Sequence, residues 1–73
     1  VSVYPNPSHG IFTINSEEEI GSLKIYNVVG ELVYGSEVKS DKQEIDLSGH
    51  AKGIYFIQVK YGDTLRTQKI VIQ

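Results

Sequence analysis

Asp46, Ser48 and His50 are the residue types of a hydrolytic triad, set at alternate positions along one short stretch. Side chains this close on a loop seldom converge on a shared proton path, and neither a Gly-x-Ser-x-Gly elbow nor an oxyanion hole accompanies them. Glu17, Glu18 and Glu19 offer carboxylates to a cation. Three adjacent side chains cannot all point at one ion, and no Asp-rich loop flanks them, so they read as solvated loop. His9 and His50 lack the spaced His or Cys partner of a zinc site. Gly30 and Gly35 match neither phosphate-cradling glycine pattern. The residues therefore read as a chain with no catalytic site, no metal site and no cofactor.

Composition narrows the classes further. The 73 residues carry 7 basic and 9 acidic side chains for a net charge of -2, against the clustered Lys and Arg that nucleic acid or an anionic membrane surface requires. The balance is uneven: Lys24 stands alone against Glu17, Glu18, Glu19, Glu31 and Glu37 in the first half, and the second half is weakly basic. No apolar run approaches the roughly 20 residues of a membrane-spanning helix. Without cysteine, no disulfide staples the chain, and a domain this short buries only about 60% of its unfolded surface. A start at Val1 and the absence of methionine lead us to expect one domain over residues 1–73, excised from a larger protein.

The elements that would hold these side chains are all strands. Gly53 to Lys60 alternates Tyr55, Ile57 and Val59 against Phe56, Gln58 and Lys60, the period of a half-buried central strand. Upstream, Val1 to Tyr4 runs into Pro5-Asn6-Pro7, where each proline fixes its own φ and pushes the preceding residue toward extended geometry. Gly10 permits a reversal into Ile11 to Asn15, and Ser16 to Glu19 reads as a loop. Ser22 to Tyr26 and Glu31 to Val38 form a hairpin about a type I turn at Asn27-Val28-Val29-Gly30, with either Leu32 and Tyr34 or Val33 facing inward. Ser40-Asp41-Lys42 reads as a turn, Gln43 to Leu47 as a short strand, and Ser48 to Lys52 as a loop. Gly62 suits a type II′ turn into a last strand, Asp63 to Ile72. Seven strands at intervals of about 8–12 residues predict an all-β fold, a small antiparallel sandwich.

Val3-Tyr4-Pro5-Asn6-Pro7-Ser8-His9-Gly10, the hairpin from Leu23 to Val33, Ile45-Asp46-Leu47-Ser48 through Gly53-Ile54-Tyr55, and Lys69-Ile70-Val71-Ile72-Gln73 follow one another across nearly the whole chain. Together they resemble the type A C-terminal sorting domain of the type IX secretion system of Bacteroidota: its P-x-P-x-x-G opening, its middle hairpin, its G-x-Y segment and its closing strand. Gln73 departs from the family, which often has a second basic residue there. The resemblance implies a seven-stranded Ig-like β-sandwich at the end of a secreted cargo that precedes Val1. It implies recognition by the outer-membrane translocon and an associated sortase-like peptidase, with export through the periplasm to the cell surface or medium.

On this reading Pro5, Asn6, Pro7, Gly10, Gly53, Tyr55 and the terminal Lys69, Ile70, Val71, Ile72 and Gln73 are the candidate recognition residues. The first four also have a structural reading as a rigid turn, and Tyr55 as a core ring whose hydroxyl reaches a backbone partner in the Leu47 to Lys52 loop. The terminal strand is expected to be free for capture by strand addition. With Tyr55 inward, Phe56 faces out, and beside Tyr26 it forms a candidate docking patch. The alternative function is an Ig-like or fibronectin-like module that binds carbohydrate or protein for a secreted enzyme or adhesin.

Overall fold

A computed structural model describes all 73 residues and is all-β. Five strands form it: β1 (Ser2–Tyr4), β2 (Ile11–Tyr26), β3 (Leu32–Asp46), β4 (Gly53–Tyr61) and β5 (Thr64–Ile72). All pairings between them are antiparallel. β2 is the hub. It pairs β3 along one edge for its whole length, while its other edge pairs β1 through Thr13–Asn15 and β4 through Ser22–Tyr26. β5 then pairs β4.

The expected seven-stranded sandwich is thus replaced by one curled five-stranded sheet. Two pairs of expected strands are continuous: Ile11 to Asn15 with Ser22 to Tyr26, and Glu31 to Val38 with Gln43 to Leu47. The segments expected to separate them, Ser16 to Glu19 and Ser40 to Lys42, lie within β2 and β3. The reason is a shared irregularity. Between the pairs Asn15↔Lys42 and Ile20↔Ser40, the four residues Ser16 to Glu19 stand against Asp41 alone, so the excess bulges out without ending the ladder. Turn-forming side chains still act locally there, since Ser16 Oγ accepts from the Glu18 N–H and Ser40 Oγ from the Lys42 N–H. Glu17, Glu18 and Glu19 are exposed on the bulge.

Bulges bend a strand and sharpen its twist, and here they also reset the side-chain phase. In β2 the buried positions are Phe12, Ile14, Ser16 and Ile20, then Leu23 and Ile25; in β3 they change from Val38 to Ile45. A regular alternation continued from Phe12 would turn Leu23 and Ile25 outward, and one continued from Val38 would turn Ile45 outward. With the bend, both halves of the sheet face one core. Fourteen buried side chains make it, including Val3, Phe12, Leu23, Ile57 and Ile72 from opposite ends of the chain. A further register shift between Ile25 and Tyr26 lets both Val33 and Tyr34 pack against the core, while Leu32 is exposed.

The two expected hairpin turns hold. Gly30 N–H donates to Asn27 C=O at 3.1 Å, closing the type I turn, and Gly30 follows at φ +87° as the left-handed residue of a three-residue hairpin loop. Asn27 Oδ1 also accepts from Val29 and Glu31 N–H, at 3.1 and 2.9 Å. At the β4–β5 hairpin Tyr61 pairs Thr64 around Gly62 (φ +60°), and no residue other than glycine has positive φ. Asp63 therefore has negative φ, which selects type II′ over I′.

Gly10 is the tightest backbone approach. Its φ is +119°, and a Cβ there would sit 2.7 Å from Ser48 Cα. Gly10→Ala is expected to cost about 2 kcal/mol or more, from strain and backbone displacement together. Urea unfolding would show it as a lower midpoint; an unchanged midpoint would contradict the close packing.

Candidate functional site

The residues expected to be read by a partner come from both ends of the chain, and the fold joins them. β5 spends one backbone edge on β4. From Lys69 onward its other edge is met by the segment after β1. Asn6 Nδ2 donates to Lys69 C=O at 3.4 Å, and Val71 N–H donates to Asn6 Oδ1 at 3.2 Å. The side-chain amide thus stands in for the peptide group of a neighbouring strand. Ser8 continues in backbone form, its N–H donating to Val71 C=O at 3.0 Å and its C=O accepting from Gln73 N–H at 2.8 Å, as a parallel bridge to Ile72.

The terminal strand is therefore not free, contrary to the expectation. Every outward backbone group from Lys69 C=O to Gln73 N–H has a partner, so strand addition there would first have to displace Asn6 and Ser8. The outward groups of Leu65 and Thr67 and the Lys69 N–H face no strand. The open edge lies upstream of the residues expected to offer it.

Ser8 is buried although polar, and its Oγ accepts from Gly10 N–H at 3.2 Å. Gly10 C=O accepts from Leu47 N–H at 2.7 Å. Pro5, Asn6 and Pro7 are exposed along this path, and the Tyr4–Pro5 and Asn6–Pro7 bonds are both cis. Gly53 and Tyr55 complete the group, because β4 sets Gly53 opposite Ile72 and Tyr55 opposite Ile70. Tyr55 is buried and its hydroxyl donates to Ala51 C=O, which is the expected corner. Pro5, Asn6, Pro7, Gly10, Gly53, Tyr55 and Lys69 to Gln73 thus gather at one end of the sheet around the end of β5.

The triad-like residues take a different arrangement. Ser48 N–H donates to Asp46 Oδ1 at 2.9 Å, and His50 N–H donates to Leu47 C=O at 3.0 Å. The Ser48 hydroxyl, and then its N–H, hold the Asp46 carboxyl below the usual carboxylate range. In a triad the acid holds the histidine and the histidine holds the serine; here the acid binds the serine directly, as a turn cap.

Tyr26 and Phe56 are directly opposite on β2 and β4, both on the outer face. Leu32 flanks Tyr26 and Lys69 flanks Phe56, so one row crosses four strands. Beside it a cleft of about 450 Å³ opens between the β2–β3 turn and the start of β4, with Val28, Val29, Lys52 and Ile54 in its wall. Sequence reading found the aromatic pair by alternation alone. It missed the cleft, because the two turns that wall it are 24 residues apart and neither carries chemistry of its own.

Comparison with known proteins identifies the family. A family described as the secretion system C-terminal sorting domain matches residues 2–73. A beta-agarase A of Zobellia galactanivorans is 37% identical over 73 residues, which is 97% of this chain and 13% of that protein. The chain therefore spans about an eighth of the length of the relative it matches.

The corner gives a direct check on the structural role of Tyr55. Tyr55→Phe removes one buried hydrogen bond, a loss of about 1 kcal/mol, and should lower the melting temperature by roughly 4–8 °C in a domain of this size. A melting temperature equal to that of the parent would remove the hydroxyl from the account.

Proposed function

This chain belongs to the family of secretion system C-terminal sorting domains, and from that premise we propose that its joined ends are the address a type IX translocon reads. The observation that carries the proposal is the pairing of Asn6 and Ser8 with Lys69 to Gln73. Residues far apart in sequence form one surface only when the chain is folded. A reader of that surface recognises the folded tail and not a linear peptide.

On this reading the cargo lies N-terminal to Val1 and the tail does no chemistry itself. Any catalytic work of the longer protein resides in that cargo, as the enzyme name of the relative suggests. The tail crosses the periplasm folded, meets the outer-membrane translocon, and is handed to a sortase-like peptidase as the cargo reaches the cell surface or medium. Pro5, Pro7 and Gly10 hold Asn6 and Ser8 in position, and Gly53 and Tyr55 hold the facing strand. Lys69 and Gln73 present exposed side chains at the rim of the surface.

The test is to append the 73 residues to a periplasm-directed fluorescent reporter in a bacterium with a working type IX system and in its translocon-null derivative. Surface or medium fluorescence in the first strain only is the expected result, and Asn6→Ala should reduce it several-fold while the reporter remains folded. Periplasmic retention in both strains, when a known tail is exported by the same host, would overturn the proposal.

A further inference from the structure

The outer face of β2, β4 and β5 has no role in the joined ends, yet it is neither polar nor neutral. Its rows follow from the register. Leu32, Tyr26, Phe56 and Lys69 form one; Gly35, Lys24, Gln58 and Thr67 the next; Glu37, Ser22, Lys60 and Leu65 the third; Ile54 and Val71 lie on the opposite side of the first. Phe56 is 37% exposed, Ile54 40% and Leu32 56%. The cleft continues this apolar surface past Ile54 to Val28 and Val29, which are 66% and 74% exposed at the turn tip. Two adjacent valines at a turn gain nothing from packing when exposed to this degree. A contiguous apolar patch of this kind marks an interaction surface.

Charge selects the partner. Lys24, Lys60 and Lys69 project from the face and Lys52 stands at the cleft, against Glu37 in the row farthest from the cleft. Glu31, at the hairpin base, is engaged by Asn27 Nδ2 at 3.1 Å. In a chain of net charge -2, Glu17, Glu18, Glu19, Asp41, Glu44 and Asp46 fall on the other half of the sheet or its bulge, with Lys39 and Lys42 among them, and Asp63 stands at the β4–β5 turn beyond the row farthest from the cleft. The same face of a second copy would set lysine against lysine. Nor does the cleft suit a sugar, because its polar groups are already used: the Asn27 amide by Val29 and Glu31, the Tyr55 hydroxyl by Ala51. What remains is an apolar cup with a lysine at its lip.

We propose that this face docks an acidic segment of a partner protein that places one aromatic or branched apolar side chain in the cleft beside Val28, Val29 and Ile54. Lys52 and Lys24 pair with its carboxylates, and Tyr26 and Phe56 cover the segment's apolar flank. Such a surface steers association through charge and gains affinity from the buried anchor. It stands independently of whether the joined ends are read for export.

The experiment selects peptides from a randomised displayed library against the 73-residue chain, then maps the best of them by amide chemical-shift changes. A consensus of Asp and Glu around one aromatic or branched residue is expected, with shifts confined to Lys24, Tyr26, Val28, Val29 and Lys52 to Phe56. Affinity should fall about tenfold in Lys24→Glu/Lys52→Glu and in Val28→Ser, all exposed positions where a dispersed spectrum verifies the fold. It should also weaken with added salt. No enrichment, a neutral or basic consensus, or peptides that bind the variants as well as the parent would overturn the proposal. So would competition by an anionic polysaccharide at the same amides with no peptide selected, or self-association of the chain through Lys24 and Lys52.

Discussion

The two hydrogen bonds of the Asn6 side chain are what the rest of this domain depends on at its closing end. They begin a circuit. Asn6 and Ser8 hold β5; Ser8 Oγ holds Gly10 N–H; Gly10 C=O holds Leu47 N–H; the following loop receives the Tyr55 hydroxyl at Ala51; and Tyr55 pairs Ile70 back on β5. Each link is a modest interaction, worth about 1 kcal/mol alone. As a closed path they fix both termini and the Leu47 to Gly53 loop relative to one another, and they leave no buried polar side-chain atom without a partner. A chain with no disulfide and one core of fourteen side chains gains its rigidity at that end in this way.

What could be read from the sequence was local, and what could not was the joining of distant segments. The alternation of Tyr55, Ile57 and Val59 fixed the inward face of β4 because strand period is geometric, and Asn27 and Gly30 specified their turn by side-chain chemistry. Gly62 did the same for the last hairpin. The strand count failed at Ser16 to Glu19 and Ser40 to Lys42 for one reason. Polar, turn-forming residues are equally at home in a bulge, and only the partner strand decides which forms. Of the candidate site, the residue list came from a family resemblance and from alternation. That Asn6 faces Val71 lay beyond both, since a pairing across 65 positions leaves no periodic trace.

The domain also distributes its surface charge unevenly. Six of the nine acidic side chains lie along the bulge and on β3 toward Asp46, with Lys39 and Lys42 among them; Lys24, Lys60 and Lys69 share the outer face of β2, β4 and β5 with Tyr26 and Phe56. The long free edge of β3 is guarded against pairing by Glu37, Lys39, Asp41, Lys42 and Glu44, and by its register shifts. On β5 the clasp itself protects the terminal half of the edge. Strand addition, the simplest way for a partner to hold a β tail, is therefore restricted to the short stretch about Leu65 and Thr67. Side-chain surfaces remain the larger means of recognition.

Amide hydrogen exchange on the unmodified 73-residue chain tests the clasp most directly, because alternate residues of β5 serve as their own controls. Val71 and Gln73 N–H are expected to be protected by Asn6 and Ser8, while the outward N–H groups of Leu65 and Thr67 exchange at nearly open-chain rates. Val71 and Gln73 exchanging as fast as Thr67 would mean that the ends are not joined in solution, and the account of a folded address would fall with them.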